Sequence, residues 1–344
     1  MDVVQLGASD PERVVIISSG LHGVEGFFGS AVQLAWLTLQ GRETFPLRTR
    51  LVMVHALNPY GFAWQRRWNE NNVDLNRNFL DSWQFLDIDP KYGESRITYN
   101  RFANFLNPPS PPSRWEPYPA KAIWHILSAG YQAQRRRQNG RSAPYLNPKT
   151  LLELGLLELQ KTLPVGQYEH PKGLFYGGTQ PEQTVRIVRK ALPQWVNGAN
   201  QVVHIDFHTG LGQHADYRLL LTDDAGSERA RQIASHFGEE VVEAWDGKTA
   251  YAAHGVMAEA LRDQLGNVPY YGMTAEFGTY SPLRVLGALR AENRAHFFDQ
   301  AGTASYRRAK RQLVEVFCPS APHWREAVVK SGLTLIEQAV HVKL

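Results

Sequence analysis

The chain has 344 residues, of which 43% are hydrophobic and 20% are charged, with a formal net charge of +4. This is an ordinary globular composition, and its only tight basic run, Arg135 to Arg137, fits a solvated helix end better than a nucleic-acid contact. The single cysteine, Cys318, excludes an internal disulfide and a metal cluster built on cysteines.

The N-terminal segment shows neither a basic region nor the apolar region that follows it in a secretion signal. No stretch reaches the roughly 20 apolar residues that a membrane span needs. We therefore expect a cytoplasmic protein that has no membrane partner.

Short runs rich in β-branched residues alternate with longer helical patterns along the chain. Strands are predicted at 13–19, 50–58, 201–208, 217–224 and 273–278. The first three are almost continuously apolar, which is typical of strands buried on both faces. Helices are predicted at 29–40 and 225–245, each long enough to cover one face of a sheet. The pattern therefore favours an α/β sandwich.

The stretch from 81 to 200 has a different texture. It is rich in helical patterns and is interrupted by the proline-dense segment 107–119, which can form neither a regular helix nor a central strand. No Gly/Ser linker separates this stretch from the strands. We therefore expect one domain, residues 1–344, with a helical, proline-rich insertion at about 81–200.

Polar side chains gather where the predicted strands end, and this is where ligands bind in open α/β sheets. The first strand leads into "GLHGVEGFFGS" with His22 and Glu25, and the second leads into "NENNVDLNRNF". The strand "HIDFHTGLG" delivers His208, and "TAEFGTY" carries Glu276. These strand ends are the candidate site.

Two histidines and one carboxylate with an open fourth position form a common catalytic zinc site. His22, Glu25 and His208 would supply these ligands, although a His-x-x-Glu pair can also cap a helix. His204 and His55 are rival ligands. We favour His208 because it reaches the strand end, and we interpret His204 as a histidine of the sheet or core.

The motif order resembles the zinc carboxypeptidase superfamily, which includes the succinylglutamate desuccinylases and aspartoacylases. "HGVEGFFGS", "NENNVDLNRNF" and "DFHTGLG" look most like a bacterial branch known only as a domain of unknown function, and the resemblance extends from about Val14 to Tyr280. It implies a three-layer α/β/α sandwich with a mixed, largely parallel central sheet. It also implies one Zn²⁺ per chain.

The resemblance implies a role for each matching residue. His22, Glu25 and His208 match the zinc ligands, and Glu276 matches the general base and acid. Asn76 and Arg77 match the pair that holds a substrate carboxylate. Arg67 matches the arginine that polarises the scissile carbonyl, and Arg66 is its alternative. Tyr251 resembles a mobile tyrosine that closes over the substrate, and Asp74 would hold the ring of His22.

Two classes of function remain open at this stage. The first is a zinc hydrolase, carboxypeptidase-like or N-acyl amino acid deacylase-like, that cleaves an amide or peptide bond next to a free carboxylate in a small molecule or peptide. The second is a non-catalytic binding protein on a degenerate hydrolase scaffold. Glu276 favours the first, because a lone carboxylate in an apolar strand is costly to bury without a role.

Overall fold

A seven-stranded mixed sheet forms the centre of the computed structural model, which describes residues 1–39, 46–83, 90–137, 147–163, 165–245 and 253–342. The strands are β1 (Asp2–Gly7), β2 (Arg13–Ser19), β3 (Thr49–His55), β4 (Gln201–Gly210), β5 (Tyr217–Asp224), β6 (Val242–Trp245) and β7 (Tyr270–Gly278). Their order across the sheet is β1-β3-β2-β4-β7-β5-β6.

The middle of the sheet is parallel. Strands β3, β2, β4 and β7 pair in parallel, whereas β1 and β5 pair antiparallel to their neighbours β3 and β7. The apolar runs of the parallel strands fit this position, because a central parallel strand is covered on both faces. Strands β2 and β4 therefore end at the same edge of the sheet.

Helices cover both faces of the sheet. Helices α1 (Gly26–Leu39), α7 (Glu228–Phe237) and α11 (Pro322–His341) share one hydrophobic cluster with one face. Helices α6 (Gln183–Val196) and α8 (Met257–Leu265) share a second cluster with the other face. The predicted fold class, a three-layer α/β/α sandwich with a mixed, largely parallel sheet, is confirmed.

A third hydrophobic cluster lies away from the sheet faces. It joins α3 (Pro90–Leu106), α4 (Tyr118–Arg137) and α5 (Pro148–Thr162) to α9 (Pro282–Phe298) and α10 (Ala304–Phe317). Phe102 and Ile126 pack there with Leu289 and Leu313. Three helices of the 81–200 stretch thus form a separate layer, whereas its last helix, α6, packs on the sheet. The short helix α2 (Pro59–Ala63) follows β3.

The structure corrects one predicted helix and adds an edge strand that the sequence analysis did not predict. The expected helix at 225–245 is wrong in its second half, because α7 ends at Phe237 and β6 then pairs with β5. Gly238 explains the break, since its φ of 109° lies outside the helical region. Strand β1 was not predicted, and it is the exposed edge strand of the sheet.

Across the described ranges, none of the helices combines the length and the apolar character that a bilayer crossing requires.

Candidate metal centre

Adjacent parallel strands place the two candidate histidine ligands side by side. His22 follows β2 and precedes a 3₁₀ turn, Gly23–Glu25, whose last residue leads directly into α1. His208 lies near the end of β4, which pairs in parallel with β2. The turn is held close to α2, since a Cβ on Gly23 would lie 2.1 Å from the carbonyl carbon of Gly61.

His22, Glu25 and His208 converge on one point inside the protein, and all three are buried. Nδ1 of His22 lies 3.0 Å from Oε1 of Glu25, and Nδ1 of His208 lies 3.1 Å from both His22 Nδ1 and Glu25 Oε2. Tetrahedral ligands at about 2.1 Å from zinc are roughly 3.4 Å apart. The spacing of these donors therefore fits one small cation.

The two imidazole rings turn the same nitrogen, Nδ1, toward each other. Nε2 of His208 lies 2.6 Å from Asp206 Oδ2, and Nε2 of His22 lies 3.1 Å from Asp74 Oδ1. A carboxylate only accepts hydrogen bonds, so in a neutral ring the Nε2 that donates to one leaves Nδ1 with a lone pair. Two such lone pairs and the Glu25 carboxylate repel one another unless a positive charge lies between them. The donor set thus fits a divalent cation, and zinc suits two histidines and a glutamate.

The charges of this cluster are strongly perturbed. Burial alone would raise the pKa of Glu25, but His22 and His208 hold it well below its ordinary value. Burial alone would lower the pKa of His208, but Asp206 and Glu25 hold it well above its ordinary value. The site therefore favours one positive charge beside the Glu25 carboxylate, which a proton or a metal ion can provide.

Arg67 borders the cluster with three contacts. Its Nη1 donates to Glu25 Oε1 at 2.9 Å, and its Nε donates to Asp74 Oδ2 at 3.1 Å. Its Nη2 lies 2.8 Å from Nε2 of His22. That nitrogen of His22 can either donate to Asp74 or accept from Arg67, and ligation through Nδ1 requires that it donate to Asp74.

Glu276 lies beside the cluster but outside its donor set. It is paired in register with His208 on the neighbouring strand β7. Its Oε1 accepts a hydrogen bond of 2.8 Å from the backbone N–H of Leu211. Burial, and then the charge of Glu25, raise the pKa of Glu276 to about 7. A carboxyl group with such a pKa can take up and release a proton at neutral pH.

Asn76 and Arg77 sit in a second 3₁₀ turn, Leu75–Arg77, whose first N–H groups are capped by Asp74. Asn76 Oδ1 accepts from the backbone N–H of Met257 at 3.0 Å. Arg77 is buried, and its Nη1 donates to the carbonyl oxygen of Asn76. The charges of Asp74 and Arg67 both act on the Arg77 guanidinium, so this residue lies near the cluster.

Arg66, His55 and His204 do not belong to the converging donors. Tyr251 lies outside the described residues. Arg66 is fully buried and pairs with Glu292 at 2.9 Å, and the same carboxylate oxygen also pairs with Lys310. Of the rival ligands, His55 Nδ1 contacts the hydroxyl of Ser19 at 3.0 Å, and His204 is buried in the sheet.

Asparagines of the "NENNVDLNRN" segment hold the site in place. Asn72 Nδ2 donates to the carbonyl oxygens of Pro171 and Gly173 at 2.9 and 3.0 Å. Asn78 is fully buried, donates to the carbonyl oxygen of Gly177 at 2.8 Å and accepts from the N–H of Glu182 at 2.7 Å. The segment 165–182 is thereby tied to the turn that carries Arg77.

Asp206 is the site residue that the sequence analysis missed. Its carboxylate contacts His208 Nε2 at 2.6 Å, as Asp74 contacts His22. The signal was present, because residues 206 and 208 of one strand point to the same face. The carboxylate two residues before a strand-end histidine is therefore in position to hold its ring.

Comparisons with known proteins place these features in context. The sequence model of the family described as "Protein of unknown function (DUF2817)" matches residues 1–140 and 131–331. No curated protein matches the chain.

Several solved structures are similar to this chain. Carboxypeptidase A from Helicoverpa armigera is 12% identical, with 93% of this chain and 65% of that chain covered and a TM-score of 0.41. Succinylglutamate desuccinylase from Chromobacterium violaceum is 14% identical, with 93% and 65% covered and a TM-score of 0.40. Bovine thrombin-activatable fibrinolysis inhibitor, in complex with tick carboxypeptidase inhibitor, is 12% identical, with 96% and 86% covered and a TM-score of 0.41. The chain thus spans less than two thirds of the length of the first two.

Proposed function

This chain belongs to the DUF2817 family, and from that premise we propose that it is a zinc-dependent hydrolase of an amide or peptide bond next to a free carboxylate. The observation that carries the proposal is the convergence of His22 Nδ1, His208 Nδ1 and the Glu25 carboxylate within hydrogen-bond distance of one another. Beside them lies Glu276, whose carboxyl group has a pKa of about 7 and can therefore gain or lose a proton near neutral pH.

The metal would be held by His22, Glu25 and His208, with Asp74 and Asp206 fixing the two rings. Bound zinc polarises a carbonyl group and lowers the pKa of a bound water toward about 7. Arg67 would remain hydrogen-bonded to the Glu25 carboxylate, and its positive charge would lie close to the bond that is cleaved.

Glu276 is the proposed general base. It is not needed as a metal ligand, and its pKa of about 7 suits a group that takes a proton from water and later gives it to a leaving amine. The N–H of Leu211 holds one of the two carboxylate oxygens of Glu276 in place. Attack on a carbonyl group builds negative charge on oxygen, which a fixed guanidinium such as Arg67 would stabilise.

Arg77 and Asn76 are the proposed handle for the substrate carboxylate. A guanidinium offers donors in a planar fork that matches a carboxylate, and it holds its charge when buried. Arg77 is buried, and the charge of Arg67 acts on it, so both guanidinium groups would be available to a substrate that carries a carboxylate and an acyl group. The substrate class is a small N-acyl amino acid or a peptide with a free terminus, and we propose that Tyr251 closes over it.

The test combines metal content with turnover. We expect one zinc per chain and hydrolysis of at least one member of a panel of N-acyl amino acids and dipeptides. His22→Ala should lose both zinc and activity, whereas His236→Ala, at the end of α7, should keep both. A wild-type protein that binds no zinc would overturn the proposal. Stoichiometric zinc without hydrolysis of any carboxylate-bearing compound would favour the binding-protein alternative.

A further inference from the structure

A continuous line of buried hydrogen bonds leads away from the candidate metal centre. Asp206 Oδ2 contacts His208 Nε2 at 2.6 Å, and Asp206 Oδ1 accepts from the hydroxyl of Ser18 at 2.6 Å. Ser18 Oγ lies 2.7 Å from Nε2 of His204, whose Nδ1 lies 2.6 Å from the hydroxyl of Tyr270. We call Ser18, His204 and Tyr270 the buried relay. All three are at most 2% exposed.

The direction of each hydrogen bond follows from the Asp206 end. A carboxylate only accepts, and a hydroxyl-to-carboxylate bond of 2.6 Å is in the range of strong charge-assisted bonds, so Ser18 donates its one hydrogen to Asp206. Ser18 Oγ must then accept from Nε2–H of His204. Burial lowers the pKa of His204 to about 4, so the ring is neutral, and its Nδ1 accepts from Tyr270. Every donor in the line points toward Asp206.

The sheet is shaped to accommodate this line. Ser18 and Asp206 are direct partners in the pairing of β2 with β4. Gly272 is the partner of His204 on β7, and a Cβ at that position would lie 2.5 Å from Cε1 of Tyr270. The missing side chain gives the tyrosine ring room to lean toward His204. An apolar trio would fill the same space without the cost of desolvating three polar groups.

We propose that the buried relay is a positioning device for the metal ligand His208, an inference that rests on the proposed function. By holding Asp206 through Ser18, the relay keeps Nε2 of His208 directed at Asp206 and its Nδ1 directed at the other two donors. If Tyr270 loses its hydroxyl, His204 can adopt the other tautomer and draw the Ser18 hydrogen to itself. Asp206 would then lose one of its two supports.

The test measures Zn²⁺ affinity by competition with a chromophoric chelator, together with the visible spectrum of the Co²⁺-substituted protein. Tyr270→Phe and Ser18→Ala should each weaken Zn²⁺ binding by roughly 3- to 10-fold and alter the Co²⁺ spectrum, since groups that hold metal-bound histidines affect affinity by about 10- to 100-fold when in direct contact. Tyr271→Phe is the matched control, because its hydroxyl contacts Gln232 instead.

A double variant sharpens the test. Because Tyr270 acts through Ser18, Ser18→Ala with Tyr270→Phe should bind Zn²⁺ no more weakly than Ser18→Ala alone. Full additivity, or a Tyr270→Phe protein with wild-type affinity and spectrum, would overturn the relay while leaving the metal site intact. A wild-type protein that binds neither metal would instead overturn the proposed function, and the relay with it.

Discussion

Glu276 is paired with His208, a proposed metal ligand, across two neighbouring strands, yet it does not belong to the converging donors. Replacing it by glutamine keeps the shape of the side chain and removes only the basic carboxylate. We expect Glu276→Gln to retain zinc and to lose about 10²- to 10⁴-fold in kcat, the usual contribution of a general acid–base. Metal analysis and turnover of a confirmed substrate check both parts.

Glu243→Gln, on the edge strand β6, is the control for this substitution and should leave kcat unchanged. A Glu276→Gln protein that turns over substrate within a few-fold of wild type would contradict the proposed mechanism.

The same carboxyl group predicts a pH dependence of stability. Because the fold raises the pKa of Glu276 from 4.5 to about 7, the folded protein holds this proton more tightly than the unfolded chain does. Its contribution to stability is complete below about pH 4.5 and is lost as pH rises through 7. Metal-free Glu276→Gln should therefore gain stability over wild type between about pH 5 and 8, by up to about 3 kcal/mol.

Urea unfolding of both proteins in the presence of a chelator measures this difference. A stability difference that does not change with pH would mean that folding does not shift the pKa of Glu276.

Arg77 is buried, and the charges of Asp74 and Arg67 act on it. If its guanidinium binds the substrate carboxylate, its removal should weaken the binding of that carboxylate more than the binding of the rest of the substrate. We expect Arg77→Ala to raise KM for a carboxylate-bearing substrate by at least about 10-fold, since charged hydrogen bonds contribute about 1.5–3 kcal/mol. The amidated analogue should be affected much less. Steady-state kinetics on the matched pair of substrates distinguishes this role from a structural one, which predicts equal losses.

Among the secondary-structure elements, the local pattern of apolar residues predicts most of the strands of the sheet. Strands β2 and β4 follow their β-branched runs to within two residues, because buried parallel strands need continuous apolar sequence. Strand β1 could not be found this way, since it lies exposed at an edge where packing demands little of its side chains. The break after α7 depends on the backbone of Gly238, which helical periodicity does not detect.

The turn between β2 and α1 carries two of the three donors, and its position depends on a missing side chain. A Cβ on Gly23 would lie 2.1 Å from the carbonyl carbon of Gly61, so Gly23→Ala must push the turn away from α2. We expect this variant to weaken Zn²⁺ binding by at least about 10-fold and to lower the free energy of unfolding by about 1–3 kcal/mol.

Gly226→Ala is the matched control, because a Cβ there meets nothing within 4 Å. Chelator competition and urea unfolding should separate the two variants. Equal behaviour would show that the turn can relax without disturbing His22 and Glu25.

At the scale of the molecule, the site joins residues that are distant in sequence. The ends of β2 and β4 meet because these strands are neighbours, and the sequence predicts this meeting from the rule that ligands bind at strand ends. The contact of Asp206 with Ser18 could not be predicted in the same way, since it needs the register of two strands, and the two residues are 188 positions apart in the chain. The proline-rich, helical sequence of 81–200 also does not reveal which of its helices pack on the sheet and which pack away from it.

Because the donors lie near the ends of strands β2 and β4 and in the turn before α1, a bound metal should stabilise the whole fold. A ligand that binds only the folded state adds about 4 kcal/mol at 1,000 times its Kd. For a chain of 344 residues this raises Tm by about 6 °C, from an unfolding entropy of about 2.1 cal/mol/K per residue. Differential scanning calorimetry of the chelated protein with and without Zn²⁺ measures the shift. His22→Ala removes one donor and should abolish it, whereas His236→Ala should keep it; an equal shift in both variants would mean that zinc stabilises the chain from another site.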